Sequence, residues 1–358
     1  MSADIAMKKV AKDFRSDTIT IPLPEMLDAA RVCALGDSVF HEDPTTEKFE
    51  KKICELTGKS SALFCTSGTL SNQIGLRTHL HQPPHSILCD HRGHVYSAEA
   101  GGLATLSQAM VTPVVPSNDL YLTLEDVKRS VILGSDIHTA PTRVISLENS
   151  LSGVIFPIEE IKRISEWARE NDIKMHLDGA RLWNVTAALG CSLKDVCQYF
   201  DSVSLCMSKG MCASVGSVLV GDEDFITKAE WFRKQQGGGI RQSGVLTSQC
   251  LVAIDKVWPT MPKTHQQAKR LGLELLKLGY ELLVPVETNM VWIDEQTINI
   301  EKFREECIKR GLKIFRGRLV LHYWTTDEAV NEIIEAAKAC VGESPTGYND
   351  IRPQYIRK

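Results

Sequence analysis

Through the first two thirds of the chain, short apolar runs alternate with stretches whose apolar positions recur every three to four residues. SALFCTSG (61–68), SILCD (86–90), AMVTPVVP (109–116), RVISLEN (143–149), IKMHLDGA (173–180), DSVSLCMS (201–208) and GSVLVGD (216–222) read as strands. Most are apolar almost throughout, so burial on both faces is expected. TEKFEKKICELTG and PIEEIKRISEWAREN carry the helical period between them. This alternation predicts an α/β domain, a mostly parallel sheet with helices packed on it.

The last hundred residues change style. A helical pattern from Lys263 to Leu278 precedes NMVWID (289–294), a helix around 300–310, the pair LKIF and RLVLHYW, and a helix from Asp327 to Cys340. A smaller α+β unit is expected there, dividing the chain into residues 1–255 and 256–358. The polar tail TGYNDIRPQYIRK is expected to be mobile.

Composition narrows the function. The 41 basic and 45 acidic residues leave a formal charge of -4, which provides no field for a nucleic acid or a membrane surface. MSADIAMKKVAKDFRSD lacks the apolar centre of a signal peptide, and no later run could span a bilayer. Eleven cysteines are scattered, with Cys65 and Cys206 inside apolar runs, as reduced buried thiols would be. A cytoplasmic enzyme without nucleic-acid or membrane partners is the expectation.

Four segments carry candidate chemistry. In MHLDGARLWN, Asp178 closes an apolar strand and Arg181 follows; both would emerge where ligands bind in a parallel sheet. A capping aspartate paired with an arginine would look the same. In TSGTLSNQ, Ser67, Gly68 and Thr69 precede a helix and suit either a phosphate or a plain N-cap. FRKQQGGGIRQSG sets three glycines between Lys234 and Arg241, a second anion contact or a flexible turn. Lys209, in SLCMSKGMCASVGS, lies in a small-residue loop after a strand. A lysine for a Schiff base, a carboxylate for the pyridine nitrogen and a phosphate cradle are the parts of a pyridoxal 5'-phosphate (PLP) site.

RSDTIT, EDPT, SGTLSNQ, HLDGAR, DSVSLCMSKG and RKQQGGGIRQSG, in this order, resemble the threonine aldolases of PLP fold type I, the fungal low-specificity L-threonine aldolases above all. The resemblance implies a PLP-dependent carbon–carbon lyase that cleaves L-threonine or L-allo-threonine to glycine and acetaldehyde. It implies Lys209 as the Schiff-base lysine, Asp178 at the pyridine nitrogen, Ser67, Gly68 and Thr69 as phosphate cradle, and His94 stacked on the ring. Ser16, Arg181 and Arg318 would hold the substrate carboxylate. Lys234 and Arg241 would reach a phosphate, in a neighbouring subunit of a homotetramer built from dimers with the active site at their interface. No metal is implied.

The departures bear on substrate. VYGED of the family is VFHED here, with Phe40 for a tyrosine and His41 for a glycine. SKGLGAP is SKGMCAS, bringing in Cys212 and Ser214; Ala98 stands where relatives often carry an aromatic or histidine, and Leu151 where bacterial members carry histidine and fungal ones also leucine. A related reaction therefore stays open. Fungal relatives include alanine racemases of secondary metabolism, and His94 or His41 could serve the ring face opposite Lys209. A zinc site within HLHQPPHSILCDHRGH (His79, His81, His85, His91, His94, Cys89) is disfavoured by Pro83–Pro84 and an intervening strand, with His79 and His81 read as an exposed turn rim. Joint retention of Lys209, Asp178, Arg181 and His94 argues against a non-catalytic role.

Overall fold

In the computed structural model, which describes residues 3–347, a strand forms in each of the seven apolar runs. They are β1 (Ser61–Cys65), β2 (Ser86–Asp90), β3 (Met110–Val114), β4 (Thr142–Glu148), β5 (Lys174–Asp178), β6 (Ser202–Cys206) and β7 (Ser217–Gly221). They make one sheet in the order β1-β7-β6-β5-β4-β2-β3. The ladders from β3 to β6 are all parallel; β7 alone runs against both its neighbours. The carboxyl ends of β2, β4, β5 and β6 therefore share one edge. Lys209 sits on that edge, in the loop that leaves β6 and reverses into β7.

Local sequence explains the helical cover. Asp43 caps the helix Pro44–Thr57 by accepting the Thr46 amide, and left-handed Gly58 (φ 72°) ends it. The helices 44–57 and Ile158–Glu170 bury Phe49, Ile53, Ile161 and Ile164 with Ile145, Leu177 and Leu205 of the sheet. Each such side chain contributes about 1.5–3 kcal/mol of transfer free energy.

A second core gathers Leu271, Leu275, Val291, Phe303, Leu319, Val330 and Ile333 under the helices Met261–Lys277, Ile300–Lys309 and Asp327–Lys338. Phe14 belongs to this core although it stands near the start of the chain. Antiparallel β8 (Met290–Trp292) and β9 (Arg318–Val320) form its sheet. LKIF is not a full partner of RLVLHYW as expected. The two share a single bridge, Phe315 with Arg318, because Arg316 turns the chain at φ 54°. The other partner comes from the amino terminus: the Phe14 amide donates to the Lys313 carbonyl (2.7 Å), and the Val320 amide to the Phe14 carbonyl (2.9 Å). From residue 348 the polar tail lies outside the described residues. Among the described residues no helix is long and apolar enough to cross a membrane.

Candidate active site

Asp178 ends β5 with its side chain buried. Its Oδ2 accepts the Asn72 amide (2.8 Å) and its Oδ1 accepts the backbone N–H of Ala180 (3.1 Å). The same Asn72 nitrogen donates to Glu99 Oε1 (2.9 Å), which faces His94 Nδ1 at 2.7 Å. Ligand-capable atoms of His94, Glu99 and Asp178 all lie within 4.8 Å of one another. Burial pulls the His94 pKa down, but the Glu99 hydrogen bond and the charges of Asp178 and Glu148 carry it above the ordinary imidazole value. Glu148, at the end of β4, accepts the His94 backbone N–H (2.8 Å); burial and then the Asp178 charge push its carboxyl upward.

Lys209 is half-buried, and its carbonyl is pinned by the Thr20 hydroxyl (2.7 Å) and the Cys212 amide (2.9 Å). Burial disfavours its ammonium and so does Arg181. Cys206, Asp178 and Asp17 outweigh them, leaving the pKa above its usual value. The Cys206 thiol is itself pushed up by burial, so at neutral pH the two carboxylates supply this support.

Asp17 has no exposed surface and grips Arg181 in bidentate fashion, Nε to Oδ2 at 2.9 Å and Nη2 to Oδ1 at 2.6 Å. Burial raises its pKa, but Arg181, Lys209 and Arg318 overcome this and hold it at about 2. Ser16, also buried, caps the short turn 17–19 by accepting the Thr18 amide (3.3 Å). Arg318, from β9, donates to the Arg15 carbonyl (2.7 Å) with its guanidinium 5.8 Å from the Trp292 ring. The amino-terminal segment thus carries Ser16 and Asp17 to Arg181, Arg318 and Lys209.

Ser67 Oγ accepts the Leu70 amide (3.1 Å), so it caps the helix Gly68–His79. The amides of Gly68 and Thr69 head that helix, where the ladder offers no acceptor. The N-cap is thus formed, and the same geometry leaves these amides open to an anion. A Cβ on Gly68 would lie 2.5 Å from Cys206 Sγ, which fixes how closely the loop sits on β6. Gly68→Ala is expected to lower the melting midpoint by several degrees and weaken PLP retention, read by thermal denaturation and equilibrium dialysis. An amine, a carboxylate, an imidazole and a helix head on one sheet edge fit PLP.

Lys234 and Arg241 lie elsewhere, on an exposed rim. Arg241 pairs with Asp37 (3.0 Å) near Phe40, and Lys234 lines a surface cavity with Trp231 and Gly239. Phe40 and Trp231 are 68% and 78% exposed. Two departures share one backbone trait. His41 (φ 57°) and Cys212 (φ 63°) stand in the left-handed region where the aldolase pattern has glycine. Leu151 lines a small cavity with Asp90 and Glu148, and Ser214 donates to Gln249 (2.7 Å). The histidines of 79–94 disperse: His79 faces Ser202, His85 the Ser107 carbonyl and His94 Glu99. His79 is no exposed rim; it ends a helix with its ring stacked on Phe225 at 4.5 Å.

The family profile of beta-eliminating lyases matches residues 13–297. The chain belongs to the beta-eliminating lyase family. This lyase is 51% identical over 335 residues to a low-specificity L-threonine aldolase of Candida albicans, covering 92% of this chain and 90% of the relative. Alanine racemase TOXG of Cochliobolus carbonum is more distant, 38% identical over 333 residues that cover 90% of this chain and 86% of the racemase. A solved threonine aldolase from Leishmania major shares the fold with a TM-score of 0.76 at 20% identity, covering 91% of this chain and 98% of that one. The lyase thus has the α/β arrangement expected from its motifs. Asp17, Asn72, Glu99, Glu148 and His176 were not singled out by sequence. Glu148 alone carried a usable signal, since it closes an apolar strand as Asp178 does.

Proposed function

We propose that the protein is a PLP-dependent aldolase that cleaves L-threonine and L-allo-threonine to glycine and acetaldehyde. The observation that carries this reading is the meeting of Lys209 with Asp178 and the Asp17–Arg181 pair at one sheet edge, in a chain half-identical to a threonine aldolase. Lys209 is the group to hold the cofactor's aldehyde, and the amides of Gly68 and Thr69 with Ser67 are the cradle for its phosphate. When bound, PLP supplies the sink for the electron pair left on the substrate's Cα as Cα–Cβ breaks.

The remaining work falls to the chain itself. Asp178 holds the proton at the pyridine nitrogen. His94, fixed by Glu99 through Nδ1, presents its ring to the cofactor face and a nitrogen for proton transfer. Arg181, Arg318 and Ser16 take the substrate carboxylate, and Asp17 holds Arg181 in orientation. Gripping the carboxylate fixes rotation about Cα–N and so selects the bond that breaks.

The exposed rim that holds Lys234, Arg241, Phe40 and Trp231 supports a homotetramer in which these cations complete a neighbour's phosphate site, and the free cysteines support a cytoplasmic location. The deciding assay incubates the PLP-loaded protein with L-threonine and with L-alanine. Acetaldehyde and glycine in equal amounts are expected from the first. D-alanine from the second, without acetaldehyde from the first, would instead establish the racemase reading that the TOXG likeness favours.

A further inference from the structure

We propose that Asn72, His176, Ser202 and His79 form a one-way hydrogen-bond relay that positions the Asp178 carboxylate toward the cofactor's ring nitrogen; the relay rests on that reading of Asp178. Four contacts connect it. Asn72 Nδ2 donates to Asp178 Oδ2 (2.8 Å), and His176 Nε2 lies 3.1 Å from Asn72 Oδ1. Ser202 Oγ lies 2.8 Å from His176 Nδ1 and 2.7 Å from His79 Nε2.

The direction follows from the inventory of donors. Asn72 spends its amide protons on carboxyl oxygens of Asp178 and Glu99, so its Oδ1 must accept and His176 Nε2 must carry hydrogen. Burial lowers the His176 pKa to about 4, leaving the ring neutral with Nδ1 bare. Nδ1 then accepts the Ser202 hydroxyl, whose oxygen accepts from His79 Nε2. His79 too is neutral, driven well below its usual pKa by burial, with the Lys174 charge acting in the same direction. Every member donates toward Asp178, so aligned dipoles place their positive end on a carboxylate that water does not solvate. Lys209, from the loop after β6, and His94, from the segment after β2, act on the same carboxylate, with Glu99 and Glu148 as opposing acids.

Sequence spacing builds the relay. His176 and Asp178 share a face of β5, and Ser202 is the β6 partner of His176. Asn72, Gly75 and His79 lie on one side of their helix. A Cβ on Gly75 would stand 3.0 Å from His176 Cε1 and Leu219 Cδ1, so glycine permits the close approach.

The test has two arms. In ¹⁵N-histidine-labelled wild-type holoenzyme, His176 is expected as the Nε2–H tautomer from pH 6 to pH 9; an Nδ1–H tautomer or a protonated ring overturns the relay without any mutant. In PLP-loaded variants, His176→Phe and Ser202→Ala are expected to move the pH midpoint of the bound cofactor's visible band and to weaken PLP binding by about threefold or more. Ser202→Thr, which keeps the hydroxyl, should restore both. Unchanged midpoints and affinities in folded His176→Phe and Ser202→Ala overturn the proposal. Asp178→Asn separates the causes: if it too leaves the band unmoved, the Asp178 assignment fails, whereas a response to it alone removes only the relay.

Discussion

Lys209→Ala is expected to yield a folded protein that no longer attaches PLP covalently and cleaves L-threonine at least about 10³-fold more slowly. The fold should survive because the loop is held through the Lys209 carbonyl, by Thr20 and Cys212, and not through the amine. Removing a half-buried ammonium also relieves a desolvation cost. Asp178 and Asp17 lose a cation in exchange, while Arg181 stays within reach of Asp17. Borohydride reduction followed by peptide mass analysis checks the assignment. The wild type should carry the cofactor's mass on the peptide containing Lys209, and the variant none. A variant with unchanged absorbance and rate would refute the role given to this lysine.

Asp17→Asn should cost about 3 kcal/mol of stability at neutral pH, because it leaves the largely buried guanidinium of Arg181 without its bidentate counter-ion. Asparagine has nearly the same shape, so the loss reports charge. The acid limb gives an independent reading. The Asp17 carboxyl titrates at about 2 in the fold against an ordinary 3.8, so the folded state favours its ionised form. The linked stabilisation, about 2 kcal/mol, is complete above roughly pH 4 and disappears as the pH falls through about 2. Urea unfolding at pH 7 and pH 3 should show the wild type losing part of this difference in acid, with the variant flatter. Equal midpoints for the two proteins at pH 7 would show that the pair does not bear on stability.

The central sheet was legible because β2, β6 and β7 are buried on both faces and announce themselves as continuous apolar runs, whereas β3, at the sheet edge, is buried only at Val114. The small unit was less so. LKIF looks like a hairpin arm, but its main partner is a segment some 300 residues earlier, which local pattern cannot supply. Within the site, Lys209, Asp178 and Arg181 stood out because polar residues at the end of apolar strands are conspicuous. Asp17 did not, since RSDTIT resembles any polar turn until Arg181 arrives from another element. Asn72 and His79 belong to a helix whose polar stripe faces the sheet, the reverse of the usual pattern. A sequence reader assigns that stripe to solvent, and for His79 did so wrongly.

Phe14 is seated among the helices of the carboxy-terminal unit, and Asp17 holds Arg181 against the large sheet. No more than about 10 Å of extended chain separates the two anchors. The amino-terminal segment is therefore a short leash between the second core and the site. A shift of the Phe14 anchor is passed through three residues to the carboxylate that grips Arg181, so the packing of the second core and the pose of that guanidinium are mechanically coupled.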